Sequence, residues 1–148
     1  MQKYSIQVDS DKTAKAYGYE LHCSVKDSMN LAYAIKGMKI EKAKKYLEEV
    51  IAMKRPLPSV FHKLKVAHKK GIGPGRYPEK AARYMLKTLE NAENNAEYKG
   101  FDAENMKISH ISAYGGRVLK GMMPRAQGRA TDKNKITANI EIILEEVE

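Results

Sequence analysis

The chain has 148 residues, enough to bury a core without disulfides or metal, and its 27 Lys and Arg against 18 Asp and Glu leave a net charge of +9. That excess repels itself unless a polyanion or a membrane surface neutralises it, and no apolar run approaches the ~20 residues that span a bilayer. A polyanion is therefore the expected partner and the cytosol the expected compartment, since no signal-peptide pattern opens the sequence.

The charge is unevenly placed. Residues 1–53 hold nine basic and seven acidic side chains, whereas residues 54–83 hold nine against the lone Glu79 and residues 106–135 hold seven against the lone Asp132. Residues 84–105 and 136–148 sum to −3 and −4, so one part of the molecule is built to face an anion and another to face water.

In chain order, the opening dozen residues are polar and aperiodic and read as an extended or mobile leader ending near Lys15. Residues 16–25 have strand composition. The single cysteine, Cys23, lies there between His22 and Ser24; it excludes an internal disulfide and suits buried filler. Ser24-Val25-Lys26-Asp27 matches a capping box, which predicts a first helix burying Leu31, Ala34 and Ile35 and stopping at Gly37. Ile40, Ala43, Leu47, Val50 and Ile51 then recur at helical steps, with Glu41, Lys44, Lys45, Glu48 and Glu49 outside.

From residue 54 to 77 periodicity disappears while Pro56, Pro58, Gly71, Gly73, Pro74 and Gly75 accumulate among basic residues, which predicts a long loop with 54–75 as a basic insertion. Pro78 suits the first position of a third and longest helix, whose face of Ala82, Met85, Leu86, Leu89 and Ala92 lasts to about Asn95. Met106 to Ile111 reads as a strand. Ile136, Ala138, Ile140, Ile142 and Leu144 alternate with polar residues as its antiparallel return partner. Residues 1–148 are expected to form one domain, with 106–145 supplying these strands and the segment that joins them.

That joining segment is the anomaly. Residues 114–135 contain one acid and little that could form a core, while Arg117, Lys120, Arg125 and Arg129 are separated by Gly, small or apolar residues. Glycines let a backbone approach phosphates, Arg offers a planar fork, and Met adapts to irregular apolar surface. Drawn as a hairpin of ~17 residues per leg at ~3.3 Å each, it would reach roughly 55 Å, too far to bury itself in its own domain. A disordered basic loop is the other reading, and both bind anions.

Arg76 and Lys80, flanking Tyr77-Pro78 at a helix start, also suit phosphate. Gly71-Ile72-Gly73-Pro74-Gly75 lacks the ending and the preceding strand of a nucleotide loop, so an enzyme built on it is disfavoured. His22, His62, His68 and His110 form no metal-ligand spacing, and His110 is expected to pack or to touch a phosphate. Eight tyrosines (17, 19, 33, 46, 77, 84, 98 and 114) lack the clustered pattern of an RNP-type sheet; Tyr114, at the base of the arm, is the candidate for stacking. No catalytic constellation, cofactor or metal site is expected. A free-standing RNA chaperone or basic adaptor is the competing class of function.

Ile35-Lys36-Gly37, Gly75-Arg76-Tyr77-Pro78-Glu79-Lys80-Ala81 and Met123-Pro124-Arg125-Ala126-Gln127-Gly128-Arg129-Ala130 occur in the order seen in the L-twenty-two family of large-subunit ribosomal proteins, which the chain resembles over about residues 14–146. The basic insertion resembles the archaeal and eukaryotic branch. The resemblance implies an α+β fold, with three helices on a small three-stranded antiparallel sheet and one long β-hairpin arm that threads ribosomal RNA to line the polypeptide exit tunnel. Carried over by position, it implies RNA contacts by Lys36, Arg76, Lys80, Arg83, His110, Arg117, Lys120, Arg125, Arg129, Lys133 and Lys135. Lys120, Gly121, Met122, Met123 and Arg125 would face the tunnel. Implied partners are ribosomal RNA, neighbouring ribosomal proteins, and the nascent chain and exit-site factors, with no membrane and no small-molecule substrate. The sequence differs from the bacterial pattern at Gly121 and Gln127, and in the first helix at Asp27 and Ser28.

Overall fold

A computed structural model describes residues 4–8, 12–102 and 105–146. The elements run Thr13–Leu21 (β1), Val25–Ile35 (α1), Ile40–Ile51 (α2), Leu57–Pro58 (β2), His68–Lys69 (β3), Gly73–Arg76 (β4), Glu79–Tyr98 (α3), Met106–Leu119 (β5), Met122–Pro124 (β6), Ala130–Asp132 (β7) and Lys135–Glu146 (β8). The principal sheet is antiparallel with order β1-β8-β5. The three helices lie on one side of it, α1 and α3 against the strands and α2 against α3. The expected α+β architecture is thus present.

The core forms where these periodicities meet. Ala14 and Ala16 of β1, Ile108 and Ile111 of β5, and Ile140, Ile142 and Leu144 of β8 pack against Leu31, Ile35, Leu47, Met85, Leu89 and Ala92 of the helices. β1 starts three residues before the expected Ala16, because Thr13, Ala14 and Lys15 pair with Glu145, Leu144 and Ile143. It also ends at Leu21, so Cys23 lies beyond the strand. There the cysteine is buried and 3.4 Å from the Ser28 hydroxyl, and burial pushes its thiol up in pKa.

Helix boundaries follow local chemistry. Ser24 Oγ accepts from the Asp27 amide, the expected N-cap, and α1 closes with Gly37 at φ +78°. Ala34 is only half-buried, whereas Ser28, Asn30 and Ala32 are buried. Pro78 is the cap of α3 and not its first helical residue. The helix continues past Asn95 to Tyr98 because Ala96, one turn beyond Ala92, is also fully buried.

Two segments expected to be loose are held to the body. Residues 54–77 carry β2, β3 and β4, which form a small antiparallel sheet of order β2-β4-β3. This sheet is tied to α1 by Asn30, whose buried amide oxygen accepts from the Val60 and Phe61 amides at 2.9 Å. Its nitrogen donates to the carbonyls of Phe61 (3.1 Å) and Lys26 (2.9 Å). The leader is held as well. The Ser5 amide and hydroxyl donate to the carboxylate of Glu141, and the Tyr4 ring meets the edge of Tyr17.

That leader contributes to an unexpected burial pattern. Alternation along β8 predicts one wet face, yet every residue from Thr137 to Leu144 is buried. Glu141, on the face away from the helices, is fully buried and bonded both by Ser5 and by His110 Nε2 at 3.1 Å.

The register shifts by one residue between Gly115 and Val118, a bulge where β5 leaves the body. A Cβ on Gly116 would stand 2.7 Å from Thr137 Oγ1 and 2.9 Å from Asn139 Oδ1, whereas one on Gly115 would meet only Ile136 Cγ2 at 3.5 Å. Gly116→Ala is therefore predicted to cost about 1–3 kcal/mol through overpacking, and Gly115→Ala much less; equal denaturation midpoints for the two variants would contradict this. Asn30→Ala leaves two strand-like amides without their acceptor and should destabilise by about 2 kcal/mol. Amide exchange should rise at residues 57–61 while β8 stays protected, and unchanged exchange at 57–61 would show that Asn30 is not the tie.

Candidate nucleic-acid interface

The arm is the continuation of β5 and β8. Val118 pairs with Ile136 and Leu119 with Lys135, then β6 and β7 extend the ladder through Met122–Asp132, Met123–Thr131 and Pro124–Ala130. The Lys133 amide donates to Gly121 O at 2.7 Å across the junction. At the tip the Arg125 amide donates to Arg129 O at 2.7 Å, closing a turn in which Gln127 and Gly128 take φ of +60° and +67°.

The arm is shorter than the sequence suggested. The inner half of each strand belongs to the domain's own sheet, so only residues 117–136 project, about ten per leg and ~33 Å of reach. Apart from Leu119 and Gly121, every side chain in that stretch is exposed, including Met122 (73%), Ile136 (55%) and Met123 (40%).

Arg117, Lys120, Arg125, Arg129, Lys133 and Lys135 all lie on this projection and are exposed. Among the described residues none of them takes part in an ion pair. Six exposed cations against the single Asp132, on a strand pair with no core of its own, give the arm a strongly positive surface. Met122 and Met123 are successive strand residues and face opposite sides, so the tip presents thioethers on both faces.

The arm's root joins a second basic surface. Lys135, Leu119, Ile136 and Thr137 line an open cleft of about 510 Å³ together with Lys80 of α3 and His22, Cys23 and Ser24 ahead of α1. Lys80 and Lys135, far apart in sequence, therefore share one concavity. Sequence reasoning missed His22 here; its place two residues before the α1 cap was the available signal.

The remaining predicted residues are dispersed. Arg76 is exposed at the end of β4 and borders a separate small cleft with Lys26 and His62. Arg83 is exposed but paired with Glu79 one turn earlier, which offsets its charge. Lys36 is exposed at the far end of α1, ~18 Å along the helix axis from Ser24. His110 is on the opposite face of the sheet from the helices, with Nε2 engaged by Glu141 and Ser5. Tyr114 shares that face and bonds Tyr17 through their hydroxyls at 3.0 Å; burial, then this bond, raise the Tyr17 pKa.

The glycine loop spends amides on its own turn. Ile72 N donates to Lys69 O and Gly75 N to Ala67 O, so the turn between β3 and β4 uses them internally. Among the described residues no group of three or more His, Cys, Asp or Glu is placed to hold a metal ion, and no helix is long and apolar enough to cross a membrane.

Comparison with known proteins agrees with this geometry. The sequence model of the family described as Ribosomal protein L22p/L17e matches residues 16–145. The large ribosomal subunit protein uL22 of Methanococcoides burtonii is 49% identical over 98% of this chain and 97% of its own length. Its counterpart in Archaeoglobus fulgidus is 50% identical over 93% of this chain and 90% of that protein. The one in Methanopyrus kandleri is 48% identical over 97% and 94%. With matches that span nearly the full length of both partners and include arm and body alike, this chain belongs to the ribosomal protein L22p/L17e family.

Proposed function

We propose that the protein is a structural constituent of the large ribosomal subunit in the cytoplasm, that it binds ribosomal RNA through its basic surfaces, and that its arm lines the polypeptide exit tunnel. The observation that carries this reading is the projection of residues 117–136, with six exposed cations that form no ion pair among the described residues. Such an arm reaches a low free energy only when RNA phosphates surround it. Arg117, Lys120, Arg125, Arg129, Lys133 and Lys135 neutralise phosphates along its length. Lys80 and Arg83 in the first turns of α3, and Arg76 at the end of β4, extend the contact over the body; Lys36 adds a separate one, and His110 contributes through its ring edge.

At the tip, Lys120, Gly121, Met122, Met123 and Arg125 face the tunnel, where thioethers and cations on two sides of a thin ribbon meet RNA on one side and the nascent chain on the other. Residues 1–148 act as one unit in this scheme, a domain docked on RNA that carries its arm with it. Neighbouring ribosomal proteins and exit-site factors are the further partners.

Large subunits washed in moderate salt should retain the protein; its complete loss to RNA-free fractions would refute the assignment. For the isolated protein on ribosomal RNA, Arg125→Ala should lower the slope of log affinity against log salt by about 0.7–0.9, one phosphate contact. Deleting residues 117–130 should weaken assembly far more, because neighbouring cations share the phosphate work. Equal and total loss of assembly in both variants would count against a distributed contact.

A further inference from the structure

The small sheet of residues 54–77 leaves apolar side chains in water. Leu64 is 88% exposed, Val60 46% and Phe61 39%, in a stretch that also holds Lys63 and Lys65. They are not loosely held. Asn30 fixes the backbone at Val60 and Phe61 through three of its four hydrogen bonds, and the Tyr33 ring meets Phe61 edge-on at 5.5 Å. His62 and Lys65, close to Leu64 on either side, take φ of +54° and +61°, a left-handed backbone that non-glycine residues adopt at a cost. The backbone at Val60 and Phe61 is thus anchored to α1 while apolar side chains of this stretch face outward.

Phe61, Leu64 and Val66 form the apolar wall of a cleft against α1, with a volume of about 120 Å³. Cations Lys26 and Arg76 and the His62 ring border it, against the single acid Asp27. Pockets for whole metabolites run to ~300–1,000 Å³, so this one holds a single flat group. A small slot with Phe61, Leu64 and Val66 as its apolar wall, Asn30 and Ser59 as polar lining and cations at its border is complementary to one kind of group above others: a planar ring with polar edges that carries a phosphate on each side. An acidic peptide matches the rim, but an amphipathic helix or strand needs a longer apolar groove than three side chains supply.

We propose that this cleft receives the base of one unpaired RNA nucleotide, with the ring against Phe61 and Leu64 and the flanking phosphates on Lys26 and Arg76. The inference rests on the reading that the chain binds RNA, and it adds a base-stacking site on the body, distinct from the phosphate contacts of the arm. It also gives the exposed side chains of the basic insertion a task that charge alone does not explain.

The test uses the full chain, a short single-stranded RNA of mixed sequence, and the same strand made abasic throughout, with affinity followed across a salt series. Phe61→Ala and the surface variant Leu64→Ser should each weaken the intact strand, Phe61→Ala by roughly 5- to 150-fold, with the salt slope unchanged. Arg76→Ala should instead lower the slope by about 0.7, the single-strand value for one phosphate. The abasic strand should bind wild type and Phe61→Ala alike. Unfolding midpoints monitor Phe61→Ala, and Leu64→Ser, at a side chain nearly free of packing, keeps the test decisive if that variant is destabilised. Wild-type affinity in both Phe61→Ala and Leu64→Ser overturns the proposal, as does equal loss on the abasic strand. A glutamate-rich peptide that binds in a Phe61-dependent way while RNA does not would reassign the cleft to a protein partner. If wild type binds RNA with an arm-dependent slope but the cleft variants are silent, only the cleft is lost; if wild type binds no RNA at all, the broader reading falls with it.

Discussion

β8 is the middle strand of the principal sheet, hydrogen-bonded to β1 on one side and β5 on the other, and buried without a break from Thr137 to Leu144. It is also, with β5, one of the two rails on which the arm is built. The same backbone ladder that closes the core at Ile140 and Ile142 continues through Ile136 and Lys135 into solvent. The stiffness of the projecting part therefore derives from burial elsewhere: a two-stranded ribbon is marginal alone, and this one is an extension of a three-stranded sheet with helices on its back. The bulge near Gly116, pressed against Thr137 and Asn139, sits where the rails leave the body. A bulge bends and twists its strand, so this position sets the angle at which the arm departs.

Two buried polar side chains organise what surrounds that frame. Glu141 has no exposed surface, and a carboxylate in that position is tolerable only with hydrogen bonds, which Ser5 and His110 provide. Asn30 does the corresponding work on the helix side, imitating the edge of a strand for residues 60 and 61. In both cases the cost of an unsatisfied buried group turns a stretch with little apolar content into an ordered one. The leader and the basic insertion are thus held in large part by polar satisfaction, with Leu57 the buried apolar anchor of the insertion, whereas the helices are held by apolar area.

This division explains what could be read in the sequence. The helices were legible because their apolar faces repeat: Ile40, Ala43, Leu47 and Val50 in α2, and Ala82, Met85, Leu89 and Ala92 in α3 are all buried. The pairing of β5 with β8 and the charged arm were legible for the same reason, from alternation and its abrupt loss. The family resemblance carried by residues 75–81 and 123–130 is borne out by the matches along the whole chain. What was not legible depended on partners distant in sequence. Nothing about Ser5 or Asn30 alone announces Glu141 or the amide of Phe61, and the small alanines of β1 gave too weak a period to place its start. The clustering of Lys80 with Lys135 and His22 is likewise a product of topology, since α3 and the root of the arm meet only in the folded chain.

The borders of the principal sheet have a consequence of another kind. On β1, the carbonyls of Thr13 and Lys15 accept from Lys99 Nζ and Asn95 Nδ2, each at 2.9 Å. On β5, the Gly37 amide donates to Ile108 O and the Ile108 amide to Met38 O, with Lys39 bridged to Lys107. At these positions the rims are occupied by the chain's own side chains and linker, and such occupancy removes part of the template on which a second polypeptide would add a strand. The chain thus covers with its own groups the stretches of both edges that lie nearest the helix ends, and a second strand could not pair there without displacing them.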